Sequence, residues 1–198
     1  MKWGTPFAGE CTDTSTDERT LFCPVGNSVP DYNINLSQSI SFKGINLYAL
    51  LSRSAGFDVY NQPLQWGTFK RYSGIMDQSN VAAAQQKPVG YFDAMYGVSG
   101  LQPSNIFVED ATFTKLREVS ASYRFTADQL AGIPGMAQFA GLGISVSARN
   151  LFTWTDYRGF DPEVGKTGGD TGSSALARVE GYQYPNFRTF TAALELIF

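Results

Sequence analysis

Hydrophobic and polar residues alternate strictly at the end of the chain, over residues 187–198. One parity is apolar and the other mostly polar: Phe190, Ala192, Leu194 and Leu196 against Thr189, Thr191, Ala193, Glu195 and Ile197. This alternation predicts a β-strand with one apolar face. At roughly 3.3 Å per residue the segment would span about 40 Å, or about 28 Å at a tilt near 45°. Because the hydrocarbon core of a bilayer is about 30 Å thick, the pattern indicates a strand that crosses a membrane.

Four earlier segments alternate in the same way. Residues 31–42 and 45–52 flank the dipeptide Lys43-Gly44, which is typical of a tight turn, so they predict a β-hairpin. Two further strands are predicted over residues 111–125 and 141–155. The sequence therefore predicts five strands in a row.

The connections between these strands differ strongly in length. Lys43-Gly44 and residues 126–140 are short, and a capping box formed by Thr126 and Gln129 predicts a helical turn in the second. The connections that contain 56–105 and 156–185 are long, and short helices are predicted at 60–72 and 79–86. Since strand direction alternates, both short connections fall at one end and both long ones at the other. Transmembrane β-barrels have this arrangement.

Residues near the strand ends agree with a membrane. Arg53, Lys115, Arg117 and Asn150 share the parity of the apolar residues, but all lie toward the long connections, where they can snorkel into headgroups or water. Aromatic residues at the strand ends predict two girdles. They are Phe42, Tyr123, Phe125 and Phe198 at the short-connection end and Tyr32, Phe113, Phe152 and Trp154 at the other.

The predicted fold class is all-β, an antiparallel transmembrane β-barrel segment with long extracellular loops. Bacterial barrels have an even number of strands, from about 8 upward, so about five strands cannot close one. We therefore expect a fragment, with residues 1–30 as an extracellular loop or part of a preceding segment and residues 31–198 as the C-terminal part of the barrel. No apolar signal-peptide region follows Met1, which agrees with export information on sequence further upstream.

The amino-acid composition argues against two kinds of binding site, one for nucleic acid and one for a metal ion. The net charge of −3 gives no electrostatic case for binding nucleic acid, and the absence of histidine removes the commonest metal ligand. Cys11 and Cys23 lie in a polar segment and are candidates for a disulfide in an oxidising compartment, with two free thiols as the alternative. We expect no metal and no cofactor.

Several segments resemble SusC/RagA-like TonB-dependent transporters of the outer membrane. The most specific is R-N-L-F-T at 149–153 followed by Y-R-G-F-D-P-E at 157–163. The others are V-P-D-Y-N-I-N-L-S-Q-S-I-S-F-K-G-I (29–45), G-F-D-V-Y-N-Q (56–62) and F-V-E-D-A-T-F-T-K-L-R-E-V-S-A-S-Y-R-F (107–125).

The resemblance implies part of a barrel of about 22 strands that imports oligosaccharides or peptides, and no enzyme activity. It implies the outer membrane of a Gram-negative, Bacteroidota-like bacterium, with membrane lipid around the barrel. It also implies a SusD-like surface lipoprotein as a lid and TonB as the source of energy. This chain shows no plug domain and no segment for contact with TonB, so alone it should neither gate nor be energised.

Two alternatives have different functions. The first is a non-transporting outer-membrane barrel, such as an adhesin or an enzyme barrel. The second is a soluble, secreted β-sandwich that binds glycans, in which the apolar parity would be buried in a protein core.

Candidate site residues lie mainly in the long connections. Asp156, Asp161 and Glu163 beside Tyr157 could bind sugar hydroxyls or calcium, or act as a glycosidase pair, but we favour a folded loop with solvated charges. Three aromatic residues in the first long connection, Trp66, Tyr72 and Tyr91, could stack on sugars or contact the lid, although loop packing is the simpler interpretation. On the strands, Glu195 and Arg149 are predicted to face the barrel lumen.

Overall fold

The structure, a computed structural model, consists of two compact units whose segments alternate along the chain. It describes residues 26–70, 74, 77–88, 90–91, 105–163 and 178–198. Unit 1 takes its described residues from Met1–Asp31, Gly56–Thr112 and Asp156–Pro185. Unit 2 comprises Tyr32–Ala55, Phe113–Thr155 and Asn186–Phe198.

Unit 2 is a five-stranded antiparallel sheet built from the five predicted strands. The strands are β1 (Tyr32–Phe42), β2 (Ile45–Ala55), β5 (Phe113–Thr126), β6 (Gly141–Thr155) and β8 (Thr189–Ile197). Their order in the sheet is β1-β2-β5-β6-β8, so each strand pairs with the next of the five along the chain. This confirms the predicted strands and the separation of short and long connections to opposite ends.

The β1–β2 hairpin has the turn that its sequence predicts. Lys43 and Gly44 both have positive φ, 47° and 85°, as a type I′ turn requires. The register that follows pairs Phe42 with Ile45 and Leu36 with Leu51. Apolar residues are thereby placed opposite apolar residues along the hairpin.

A β-bulge in β5 changes the faces on which its first residues lie. The register steps by one residue on β2, from Leu50 to Leu51, while β5 steps by two, from Glu118 to Leu116. Beyond this point Lys115 pairs with Ser52 on the polar face, and the Arg117 Nε donates to the Ser52 Oγ over 2.6 Å. The prediction that Lys115 and Arg117 share the apolar parity is therefore wrong, because one extra residue reverses the alternation.

The same bulge removes Phe113 from the predicted girdle, since Phe113 pairs with Ser54 and is buried. Arg53 does lie on the apolar face, in register with Ile34 and Thr114. Asn150 has a φ of 54° beside a register shift in β6, and its side-chain amide donates to the Phe187 carbonyl over 3.1 Å. The Asn150 amide N–H therefore has a hydrogen-bond acceptor within the sheet unit.

The connection from β5 to β6 confirms the predicted capping box. A short helix covers Ala127–Ala131 and ends at Gly132. The Gln129 side chain accepts a hydrogen bond from the Thr126 backbone N–H over 2.9 Å, which satisfies one of the N–H groups exposed at the start of the helix. This short connection ends at β6, where the Ala140 N–H donates to the Ile197 carbonyl over 2.7 Å.

Unit 1 contains a second sheet that the sequence pattern does not predict. It has three short strands in the order β4-β3-β7, where β3 is Asp58–Asn61, β4 is Val108–Asp110 and β7 is Val179–Glu180. Strand β7 runs parallel to β3, so residues more than a hundred positions apart in sequence complete the sheet. Phe57, Val59 and Ala111 are buried in this unit.

The helical predictions in the first long connection have different outcomes. Helix α1 (Gln62–Phe69) lies within the predicted segment 60–72 and is capped by the Asn61 side chain, which accepts from the Leu64 N–H over 2.9 Å. Residues 79–86 form turns instead of the predicted helix, with single hydrogen bonds such as the one from the Val81 N–H to the Gln78 carbonyl.

None of the helices in the described residues is both long and apolar enough to cross a membrane.

Candidate functional site

The five-stranded sheet has two chemically different faces. Large apolar side chains on one face stand open, among them Leu36 at 63% exposure, Phe190 at 73% and Leu194 at 65%. A water-soluble sheet would cover such a face, whereas a barrel wall presents it to lipid. The exposed apolar face is therefore the first functional feature of this unit.

The opposite face carries polar side chains linked in pairs across the strands. The Arg124 Nη2 lies 3.2 Å from the Glu195 Oε2, and the Arg149 Nε lies 3.2 Å from the Glu118 Oε2. The two predicted lumen residues, Glu195 and Arg149, thus both lie on the polar face. Because the arginines are well exposed, these pairs order the surface more than they stabilise the sheet.

A depression of about 520 Å³ lies on the polar face near the short connections. The Arg124–Glu195 pair forms part of its wall, and Gly143 leaves the room for the Glu195 carboxylate, since a Cβ at that position would lie 3.2 Å from the Glu195 Oε2. Further lining residues are Gly44, Asn46, Ser122, Ser145 and Ala193. The surface is suited to polar contacts.

In unit 1 the predicted residue Tyr157 is held by a buried carboxylate. Its phenol O–H donates to the Glu180 Oε2, and the Phe160 N–H donates to the Glu180 Oε1 over 2.9 Å. Glu180 is fully buried and Tyr157 is 6% exposed. Burial raises the pKa of the Tyr157 phenol, and the hydrogen bond to Glu180 raises this pKa further.

A second carboxylate, that of the partly buried Glu109, joins three parts of unit 1. Its Oε2 accepts from the Arg158 N–H over 3.1 Å, and its Oε1 accepts from the Asn61 amide over 3.3 Å. The Arg158 guanidinium also lies 3.0 Å from the Glu109 Oε1. Neither Glu109 nor Glu180 was among the sequence candidates. Glu109 lies inside the resembling segment 107–125 and Glu180 lies outside all of these segments, and no sequence pattern marks either residue as a hydrogen-bonding centre.

Asp161 and Glu163 lie in a turn. The Asp161 Oδ1 accepts from the Glu163 N–H over 3.0 Å, and Asp161 is 5% exposed. The turn agrees with a folded loop, but the expectation that its charges are solvated is wrong for Asp161, which is buried. A role for Tyr157, Asp161 or Glu163 in contact with a ligand or a lid stays a prediction.

The aromatic candidates of the first long connection are not brought together by the described contacts. Trp66 lies in α1 with its ring 6.2 Å from that of Phe69. Tyr91 is exposed, and the Lys87 Nζ lies 5.4 Å from its ring centre. Tyr72, Cys11 and Cys23 lie outside the described residues. The predicted stacking and the predicted disulfide therefore stay predictions.

Alkaline pH should test the Tyr157–Glu180 contact. Because the folded-state pKa of Tyr157 is raised above 10.0, the ordinary value for tyrosine, the contribution of this phenol to stability is complete below pH 10.0 and declines as the pH rises above it. Phenolate absorbance should show Tyr157 ionising only when unit 1 opens. Tyr157→Phe is the control, and a phenolate signal from Tyr157 in the folded protein near its ordinary pKa would contradict the contact.

Comparison with known proteins identifies a relationship. No protein-family model matches the chain. TonB-dependent receptor P26 of Formosa agariphila is 26% identical over 194 residues, which cover 93% of this chain and 18% of that protein. TonB-dependent receptor P3 of the same bacterium is 23% identical over 189 residues, or 94% of this chain and 18% of that protein. The chain thus spans less than a fifth of the length of these relatives.

Solved structures show the same fold. The RagAB peptide importer in its open-open state matches all of this chain and 20% of the importer chain, with a TM-score of 0.62 and 24% identity. The closed-closed state matches 92% of this chain with a TM-score of 0.63. The resemblance to SusC/RagA-like TonB-dependent transporters is confirmed.

This relationship indicates which part of a known fold the five-stranded sheet corresponds to. The five-stranded antiparallel sheet matches part of the barrel of a SusC/RagA-like structure, and it is not closed in this chain. The relatives are TonB-dependent receptors, a class of outer-membrane protein, and none is named as an enzyme. This relationship supports an outer-membrane localisation for the chain.

Proposed function

We propose that this chain forms part of the wall and surface loops of an outer-membrane transporter that imports oligosaccharides or peptides. The observation that carries the proposal is the two-faced sheet, with one open apolar face and one polar face linked by ion pairs. An apolar outside and a polar inside are what a transmembrane barrel with an aqueous lumen requires. Residues 31–198 are proposed as the C-terminal part of the barrel, preceded by a loop or partial segment over 1–30.

The polar face supports passage of a hydrated substrate. Its described side chains include hydroxyls, amides and paired charges, which can exchange hydrogen bonds with sugars or with a peptide backbone. The RagAB structures are named for a peptide importer, which favours peptides for that protein. For this chain the proposal includes both substrate classes.

The partners follow from the same proposal. Unit 1 is proposed to lie on the extracellular side and to contact a SusD-like lipoprotein lid. Import would be energised by TonB through a plug domain encoded elsewhere in the complete protein. The bacterium is proposed to be Bacteroidota-like, in agreement with the source of the Formosa relatives.

Cysteine labelling of neighbouring residues should test the proposed wall. Ser147 pairs with Ser120 on the polar face, and Val146 pairs with Ala121 on the apolar face. In the complete protein with Cys11→Ser and Cys23→Ser, a bulky, water-soluble maleimide should label Ser147→Cys and reduce uptake of labelled oligosaccharides or oligopeptides. Val146→Cys should not be labelled, because lipid covers it.

The parent without cysteines, treated with the same reagent, controls for unspecific inhibition of uptake. Equal labelling at both positions in a protein recovered without detergent would contradict the barrel and favour a soluble sandwich. Labelling of Ser147→Cys alone, with unchanged uptake of both substrate classes, would support a barrel but contradict import through it.

A further inference from the structure

Two arginines lie on the apolar side of the sheet at the end of the long connections. Arg53 is on β2, in register with Thr114, which is in turn in register with Trp154 on β6. Arg188 immediately precedes β8. The described residues that alternate on this face include no carboxylate, so the two positive charges are not neutralised by it.

Arg53 is held in position by its neighbours on both adjacent strands. Its Nη1 donates to the Thr114 Oγ1 over 2.9 Å, and its Nε donates to the Tyr32 hydroxyl over 3.4 Å. A guanidinium has five N–H groups, so these contacts orient the side chain and leave N–H groups for an acceptor outside the sheet. A guanidinium held in one orientation can donate two parallel hydrogen bonds to a phosphate.

Aromatic rings stand between the two arginines. Phe152 and Trp154 are stacked, with ring centres 5.8 Å apart, and the Arg188 guanidinium lies 5.8 Å from the centre of the Phe152 ring. Three inter-strand steps of about 4.8 Å place the backbones of Arg53 and Arg188 about 14 Å apart. Side chains of this length could reach one headgroup from both sides.

An apolar groove of about 480 Å³ lies on the same face of the same unit. It contains Leu151, directly before Phe152, and continues along small side chains near the middle of the strands. These are Val119, Ala121, Val146, Ala148 and Ala192. Rows of small residues between larger ones leave room for an extended hydrocarbon chain.

We propose that this face binds one phosphate-bearing membrane lipid, with its headgroup at Arg53 and Arg188 and an acyl chain in the groove. Charge complementarity favours an anionic headgroup, and the adjoining groove favours a lipid over free phosphate. The aromatic pair lies at the level where amphipathic rings meet headgroups. The inference rests on the proposed function, because it requires this face to meet lipid.

Native mass spectrometry of the complete protein, released from membranes in mild detergent, tests the headgroup site. After delipidation, diphosphorylated lipid A is added as the probe and phosphatidylethanolamine as the zwitterionic comparison. Arg53→Gln/Arg188→Gln should lower the retained lipid A about tenfold or more. Arg124→Gln removes the same kind of charge from the polar face and should bind lipid A as the parent does.

Equal retention of lipid A by the parent and the double variant, both recovered in the outer membrane, would overturn the lipid site and leave the barrel intact. Recovery of the parent without detergent would instead overturn the proposed function. Displacement of lipid A by inorganic phosphate at equal concentration would also overturn the proposal, since the groove would then contribute nothing.

Filling the groove tests the acyl chain separately. Ala148→Phe keeps both arginines and places a large side chain in the groove, so it should reduce lipid A retention several-fold, toward the level of the double variant. Ser147→Phe adds the same side chain on the polar face and serves as the matched control. If Ala148→Phe retained lipid A as the parent does, an acyl chain in this groove would be contradicted.

Discussion

Val146→Arg should prevent the complete protein from assembling in the outer membrane. Val146 lies near the middle of β6 on the apolar face, is 52% exposed and pairs with Ala121 and Ala192. An arginine at the bilayer midplane of a β-barrel costs about 2–4 kcal/mol, which lowers the folded-to-unfolded ratio by about 30-fold to several hundred-fold. The amount of heat-modifiable protein in purified outer membranes measures the effect.

Ser147→Arg is the matched control for this substitution. It introduces the same side chain one residue further along β6, on the polar face, where Ser147 pairs with Thr191. Water and the polar face can solvate the charge there, so assembly should stay close to that of the parent. Equal assembly of Val146→Arg and Ser147→Arg would mean that this face does not meet lipid.

Gly159→Ala should open unit 1 without preventing assembly of the sheet. An ideal Cβ at position 159 would overlap the Glu180 carboxylate and the Tyr157 ring. Because Glu180 is fully buried, displacing it would break its hydrogen bonds with Tyr157 and Phe160. Removing the partners of a buried polar group costs about 1–3 kcal/mol, so amide exchange around β3 and β7 should accelerate by about fivefold to a hundredfold.

Gly132→Ala provides the control for the change from glycine to alanine. A Cβ at Gly132 meets only the Gln129 carbonyl oxygen, at 3.8 Å, which is ordinary contact. It should leave amide exchange in unit 1 unchanged. If Gly159→Ala also left amide exchange in unit 1 unchanged, the buried Tyr157–Glu180 contact would not exist in the folded protein.

Local pattern was sufficient for most of the sheet in unit 2. The alternation over 141–155 predicts β6, and the structure has Gly141–Thr155. Lys43-Gly44 and the Thr126 capping box were also predicted correctly, because turns and caps depend on a few adjacent residues. These signals lie within one strand or one turn, and the sequence displays them directly.

The bulge at Arg117 was not predicted, and it changed the interpretation of three residues. A bulge adds one residue to one strand, and only the pairing with β2 and β6 reveals where this happens. Arg117, Lys115 and Phe113 therefore lie on the polar face, although strict counting from Val119 places them on the apolar one. Counting along a single strand cannot detect a shift relative to its neighbours.

The structure of unit 1 was even less predictable from local sequence patterns. Its strands have two to four residues, too few for an alternation to be recognised, and β7 pairs with β3 across more than a hundred residues. The carboxylates of Glu109 and Glu180 acquire their roles only through partners distant in sequence. The candidates Asp161 and Glu163 were found because they cluster with Tyr157 within a few adjacent residues of one recognisable segment.

The sequence by itself determined five strands, their alternating faces, the ends at which long and short connections lie, and the resemblance to SusC/RagA-like transporters. These properties depend on residues close together in the chain. The tertiary structure decided the face of Lys115 and Arg117, the partners of the Glu109 and Glu180 carboxylates, and the placement of Arg53 and Arg188 on opposite sides of one aromatic pair. Each of these depends on which strands lie side by side, because register and burial are properties of paired segments.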